Sequence, residues 1–239
     1  MNLRELLSEL RCNILADVST RVGDTDEAPP GNEERILNDA SLVRYINDAE
    51  RRFARRTRCL VDSTSDASIL QLRPGKGTYE LDARIIDVRE LRVENRQLRR
   101  TTRQATYPYP DTSGVAAIMH GEGTPQAFWF EDDSRSLTIH PTPSDRFGML
   151  AHMRIVRLPM RPLSLLSMDQ SPEVPEDYHL DILEWAAFRA FRNNDVDFGE
   201  TNYIQRANTH RARFNDAIAE YQRDAKIRNP PQFALNGRH

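Results

Sequence analysis

Cysteine is almost absent. Cys12 and Cys59 are the only two, far apart and both in stretches with helical patterning, so no disulfide framework can be built and a reduced, intracellular protein is expected. Long apolar runs are missing too. No segment approaches the roughly 18 apolar residues of a membrane span, and Met1-Asn2-Leu3-Arg4-Glu5 carries charge where a secretory signal needs an apolar run. A soluble chain is expected. Lysine is confined to Lys76 and Lys226, leaving arginine to supply 31 of the 33 basic residues. Codon bias accounts for this most simply, although the planar, weakly hydrated guanidinium also suits interfaces. Apolar residues are scarce, at 38% against 29% charged, where about 45 to 50% and about 25% are usual. With 239 residues the chain holds one large domain or two small ones, and this composition favours an elongated or oligomeric body. The net charge of −3 gives no global attraction to nucleic acid or anionic membrane, although local basic patches remain open.

Signatures of catalysis and of metal binding are equally thin. In Pro74-Gly75-Lys76-Gly77-Thr78 a glycine separates the lysine from the threonine, whereas a phosphate-binding loop needs them adjacent, so a Gly-rich turn is expected. Asn193, Asp195 and Asp197 alternate as calcium ligands do, yet Phe198 stands at the glycine position and Ile204 at that of the bidentate Glu. A turn between helices is the simpler reading. His120-Gly121-Glu122-Gly123 has no Gly-x-Ser-x-Gly elsewhere to supply a nucleophile. The six histidines, His120, His140, His152, His179, His210 and His239, never fall at metal-ligand spacing. Asp132 and Asp133 are neighbours at a hairpin tip, exposed and without the contrasting environments that separate two carboxyl pKa values. No enzyme, cofactor or metal is expected.

The periodicity changes twice along the chain. Leu3, Leu6, Leu7, Leu10, Ile14 and Val18 form one amphipathic helix, followed by a polar loop over 23–32. A second helix starts near Glu33 or Ser41 and ends at Arg56, with Leu42 or Val43, Ile46, Ala49 and Phe53 on its stripe. Arg51, Arg52, Arg55, Arg56 and Arg58 crowd its C-terminal end, where cations complement the helix dipole; a patch facing subunits or DNA phosphate is the functional alternative. Between Ser68 and Leu158 come short β-branched or aromatic runs, at Ile69–Leu72, Thr78–Leu81, Ile85–Val93, Ala127–Phe130, Leu137–Ile139 and Met149–Leu158, which predict an antiparallel β unit. Phe128-Trp129-Phe130 and Ser136 to His140 flank an acidic loop as a hairpin, and Arg99 to Gly114 is expected to be a long surface loop. Pro159, Pro162, Pro172 and Pro175 lead back to helix, Pro175 in its first turn.

From there Ile182, Leu183, Ala186, Ala187, Ala190 and Phe191 recur at helical spacing, alongside Tyr178, Trp185 and Phe188 as core or packing residues. After a break over Asn193 to Gly199, Tyr203, Ala207, His210, Phe214, Ala217, Ile218, Tyr221 and Ala225 hold a single stripe until Pro230 and Pro231 stop the helix. Phe233 and Leu235, two apart on extended chain, point the same way with no local core. A partner's pocket, or their own bundle, must cover them; docking through Ile227, Arg228, Pro230, Pro231, Phe233, Leu235 and Arg238 is the reading taken. The fold class is therefore α+β: a four-helix bundle from 1–62 and 163–228, an inserted antiparallel β domain over 63–162, and an extended tail over 229–239.

This order, with Val174-Pro175-Glu176-Asp177-Tyr178-His179-Leu180-Asp181-Ile182-Leu183-Glu184-Trp185-Ala186-Ala187-Phe188-Arg189-Ala190-Phe191, His210 to Phe214 and the Phe128-Trp129-Phe130 hairpin, resembles the head-to-tail adaptor (connector) proteins of tailed bacteriophages. The podophage, tail tubular protein A type is the nearest; the smaller adaptors of long-tailed phages lack so large a β block. The resemblance implies a structural protein made in the host cytoplasm and placed in the virion neck. There a ring, commonly of twelve copies, joins the portal protein to the tail nozzle or other tail proteins. Genomic DNA then passes through the lumen without sequence readout. Two other readings stay open: a nucleic-acid-binding accessory protein using the Arg51–Arg58 cluster with Arg96, Arg99, Arg100 and Arg103, and a hydrolase using the acidic hairpin or the Asp195 region.

Overall fold

A computed structural model describes residues 1–15, 37–102, 122–144, 150–198 and 201–228, the side chains of 194–198, 201, 202 and 228 excepted. The chain is α+β and divides into two units, Met1–Thr57 with Arg161–His239, and Arg58–Met160.

The first unit is helical. Helix α1 (Leu3–Glu9) begins at a capping box: the Asn2 side chain accepts from the Glu5 amide, and the Glu5 carboxylate accepts from the Asn2 amide. Its leucines are buried. The expected single helix to Val18 is not what forms, because from Leu10 to Leu15 the backbone winds as a π-helix, and Val18 lies outside the described residues. In this wider turn Arg11 is buried, its guanidinium donating to the Leu37 carbonyl at 2.8 Å and the Asp39 carboxylate. A buried arginine with two fixed acceptors holds a register that an uninterrupted leucine stripe would not.

Helix α2 (Asp39–Thr57) starts where the Asn38 side chain accepts from the Ser41 amide at 2.7 Å, satisfying an orphan N-terminal donor. Leu42, Val43, Ile46, Ala49 and Phe53 are buried along it. Pro175 precedes a short 3-10 turn (Glu176–Tyr178) rather than sitting inside the helix, and α3 (His179–Phe198) follows. The expected break over Asn193 to Gly199 is a correction: α3 continues to Phe198, and α4 (Thr201–Arg228) begins almost at once. Asn and Asp are only mildly unfavourable in helices, and the Asn193 amide donates to the Tyr45 hydroxyl, so packing overrides the local preference. Helix α3 packs on both α2 and α4; its Ala186, Ala187 and Ala190 are fully buried, which lets the neighbouring helices approach closely.

The second unit is built of short strands: β1 (Val61–Asp62), β2 (Ile69–Gln71), β3 (Thr78–Glu80), β4 (Ile85–Val93), β5 (Arg96–Gln97), β6 (Arg99–Arg100), β7 (Glu122–Gly123), β8 (Ala127–Glu131), β9 (Ser136–His140), β10 (Thr142–Pro143) and β11 (Leu150–Arg157). One sheet runs β1-β11-β4-β5 with β2 also on β11; another runs β3-β9-β8-β6; β10 pairs with β7. Both larger sheets feed one core, in which Val88, Leu91, Met153 and Ile155 meet Phe128, Leu137 and Ile139. The β4–β5 turn places Glu94 and Asn95 at φ of 49° and 64°, the conformation a tight hairpin demands at both central residues.

Pairing is mostly antiparallel, with two exceptions that correct the expectation: β6 on β8 and β7 on β10 are parallel. Arg99 and Arg100, expected in a loop, form β6. Their polarity is compatible with an edge position, where both side chains stay exposed. Residues 103–114 of that expected loop lie outside the described residues. Cys59 is not helical either; it lies between α2 and β1.

Candidate functional site

The stripe of α4 reads outward from the core to the end of the helix. Phe214 is fully buried, its ring 5.3 Å from Trp185 and 6.2 Å from Phe53. About two turns further, Tyr221 meets Phe53 edge-on at 6.0 Å and Tyr178 at 5.3 Å, while Tyr178 lies 5.2 Å from Phe53. These pairs sit in the distance range where aromatic contacts add to burial. Gln222 then donates to the Arg56 carbonyl at 3.0 Å, occupying an acceptor that the C-terminus of α2 leaves open. Tyr221 and Gln222 thus hold α4 against α2, and Ile227 further along the helix is 77% exposed. Arg228 closes the helix. Pro230, Pro231, Phe233, Leu235 and Arg238, the rest of the expected docking tail, lie outside the described residues.

The arginine cluster at the end of α2 divides. Arg51, Arg52, Arg55 and Arg56 belong to the helical unit and Arg58 to the β unit. Arg52 lays its guanidinium 4.1 Å over the Trp185 ring, a cation–π contact. Arg56 donates to the Asn215 side chain. Arg58, at φ 56°, lies 3.6 Å from the Asp87 carboxylate, which Arg100 also engages at 2.8 Å. Arg51 lines an open cavity of about 740 Å³ with Arg44, Arg189, Asp48 and Tyr45. Three of the five arginines thus have partners inside their own unit.

Chemistry-bearing residues are dispersed. Among the described residues no three His, Cys, Asp or Glu side chains are placed to hold a metal ion. His210 pairs with Glu184 at 2.6 Å and stacks on Phe191, while His179 contacts the Val174 carbonyl at 3.0 Å; burial pushes the His179 imidazole below its ordinary pKa. Asp132 and Asp133 occupy the β8–β9 turn, both exposed. The Gly-rich segment is a turn between β2 and β3, with Gly75 at φ 71° and the Tyr79 hydroxyl donating to the Lys76 carbonyl at 2.7 Å. His120 and Gly121 lie outside the described residues, as do the side chains of Asp195 and Asp197.

Reading the sequence missed Glu50. It is buried on α2 and accepts from the Glu173 amide, while Asn47 one turn earlier bonds both the amide and the carbonyl of Leu163. Together they clamp the segment leading into α3. Burial pushes the Glu50 carboxyl up to about 7, against the lowering by the Glu173 and Val174 amides. The signal was present: Ile46, Glu50, Phe53 and Thr57 share a helical face, so a carboxylate interrupts an apolar stripe.

A braced helix end, exposed arginines and open grooves are surfaces suited to contact with other macromolecules. A protein-family profile described as SU10 adaptor protein matches residues 1–233, so the chain belongs to that family of bacteriophage head-to-tail adaptors. The family is structural, and the chain is not an enzyme. No curated protein matches it.

Proposed function

We propose that this adaptor forms a ring, of twelve copies, in the virion neck of a podophage-type particle. The ring joins the portal protein to the tail nozzle and extends the channel through which genomic DNA leaves without sequence readout. Its helical unit serves as a four-helix bundle, with α1 and its π-helical continuation as the first member. The 229–239 segment is the portal-docking tail, with Ile227, Arg228, Pro230, Pro231, Phe233, Leu235 and Arg238 as its contacts.

The observation that carries this reading is the brace on α4. The aromatic group of Phe53, Tyr178 and Tyr221 and the Gln222 bond hold the helix up to a point eight residues before Pro230, so a following segment starts from a fixed point. A tail that orders only in the portal's pockets templates ring formation there. Of the basic cluster, Arg51 and Arg55 are the members available to a neighbouring subunit or to DNA phosphate, since the other three have the contacts given above. Deleting 229–239 is expected to leave a folded chain that no longer joins the portal in a pull-down. A truncated chain that assembles normally on the portal would refute tail docking.

A further inference from the structure

Leu166 is 97% exposed and its neighbour Leu165 41%, yet the loop presenting them is heavily braced. The Ser167 amide donates to the Ser164 carbonyl at 2.9 Å and the Gln170 amide to the Ser167 carbonyl at 3.0 Å. Leu163 is held on both sides by Asn47 at 2.8 and 2.9 Å, and the Arg4 amide donates to the Met168 carbonyl at 3.1 Å. An apolar side chain in solvent gains nothing from rigidity by itself. Rigidity does help a knob that enters a partner, because little freedom remains to be lost on binding.

A matching hole exists on the same unit. Between α3 and α4 lies a groove of about 330 Å³, lined by Phe188, Arg192, Ile204, Ala207, Asn208 and Arg211. Its floor is apolar, with Phe188 and Ala207 buried and Ile204 51% exposed. Arg192 and Arg211 hold their guanidinium carbons 6.0 and 5.9 Å from the Phe188 centroid, which makes a cationic rim. The loop carries the complementary charge: Asp169, three residues past Leu166, is 88% exposed, and its carboxylate pairs at 3.7 Å with Arg4, itself 69% exposed.

Knob and hole flank different sides of α3. Pro162, Leu163 and Leu165 border a cavity with Arg189 and Asn193, whereas the groove uses Phe188 and Arg192, about 100° away around the helix. A surface that carries its own complement on another flank makes a heterologous contact, and repeating it generates a ring when the rotation closes. Resting on the ring reading above, we propose that the 164–169 loop of one copy seats Leu166 in the α3–α4 groove of the next, with Asp169 against Arg192 and Arg211.

The test uses full-length protein assembled on portal, in a Cys12→Ser, Cys59→Ser background carrying Leu166→Cys and Asn208→Cys. Oxidation is expected to give a ladder of covalent multimers, and neither cysteine alone should give it. In parallel, Asp169→Arg and Arg211→Glu should each lower ring occupancy at least fivefold, and the double variant should recover most of it. Rings seen by electron microscopy without the ladder and without charge-swap rescue overturn this contact and leave the ring reading standing. If no ring forms with the parent protein, both fall. Arg211→Glu weakening DNA binding, with assembly unchanged, would reassign the groove to nucleic acid and overturn the contact too.

Discussion

Glu50 shows how one misplaced-looking residue ties acidity to stability. Its carboxyl, ordinarily at 4.5, is raised to about 7 chiefly by burial, with the Glu173 carboxylate adding to the rise and Arg51 opposing it. The native state therefore keeps a proton that the unfolded chain gives up between those values. The resulting stability is complete below 4.5 and lost as pH rises through 7, on the order of 3 kcal/mol for a shift of this size. Asp181 on α3 is raised too, by burial and by Glu220 and Glu184, and acts in the same direction. The β unit runs the other way. Asp62 is buried, which alone would raise it, but amides of Thr64 and Ser65 and the Arg157 guanidinium hold it well below the usual carboxylate range. Asp82 is held down to about 2 by Arg84. Their contribution is present above 3.8 and lost as pH falls toward 2. Thermal unfolding of Glu50→Gln should accordingly match the parent near pH 5 and exceed it by several degrees at pH 8. An unchanged pH slope in the variant would show that Glu50 does not hold the extra proton.

At the scale of elements, Phe214 is where α4 meets α2 and α3, since its ring contacts both Phe53 and Trp185. Phe214→Ala leaves a cavity between three helices, and about 3 to 5 kcal/mol should be lost from the helical unit, read as a fall in its denaturation midpoint. A loss below 1 kcal/mol would mean that the three helices do not share one packed core. Legibility followed the same physics. The stripe Ala207, His210, Phe214, Ala217 and Ile218 is buried as its spacing demands, and Ile85–Val93 is a strand over its whole expected length. What escaped was set by distant partners. Nothing local to Asn193 announces Tyr45, nothing near Arg11 announces Asp39, and Arg99-Arg100 becomes a strand only because β8 offers an edge. The contact surfaces were partly legible: the arginine cluster and the end of α4 stand out in one dimension, whereas the groove joins Phe188 to Arg211 through the packing of two helices.

At the scale of the whole molecule, attachment to a portal is a sum over copies, and that changes what a single weak contact can do. If each copy contributes one tail, every tail after the first binds at the high effective concentration set by its neighbours, so the assembly holds far more tightly than any one segment. Phe233→Ala, which lies outside the described residues, removes one apolar anchor of about 3 to 5 kcal/mol if it is fully buried in the portal. In a uniform ring that loss repeats around the axis and should abolish attachment. In rings reconstituted from mixtures of parent and Phe233→Ala chains, dissociation should stay slow while most tails are intact, then accelerate steeply once variant copies predominate. The measurement is the dissociation rate of portal–adaptor complexes against the fraction of variant chain. A rate that climbs in simple proportion to that fraction would mean that tails act independently, and the multivalent account of attachment would be refuted.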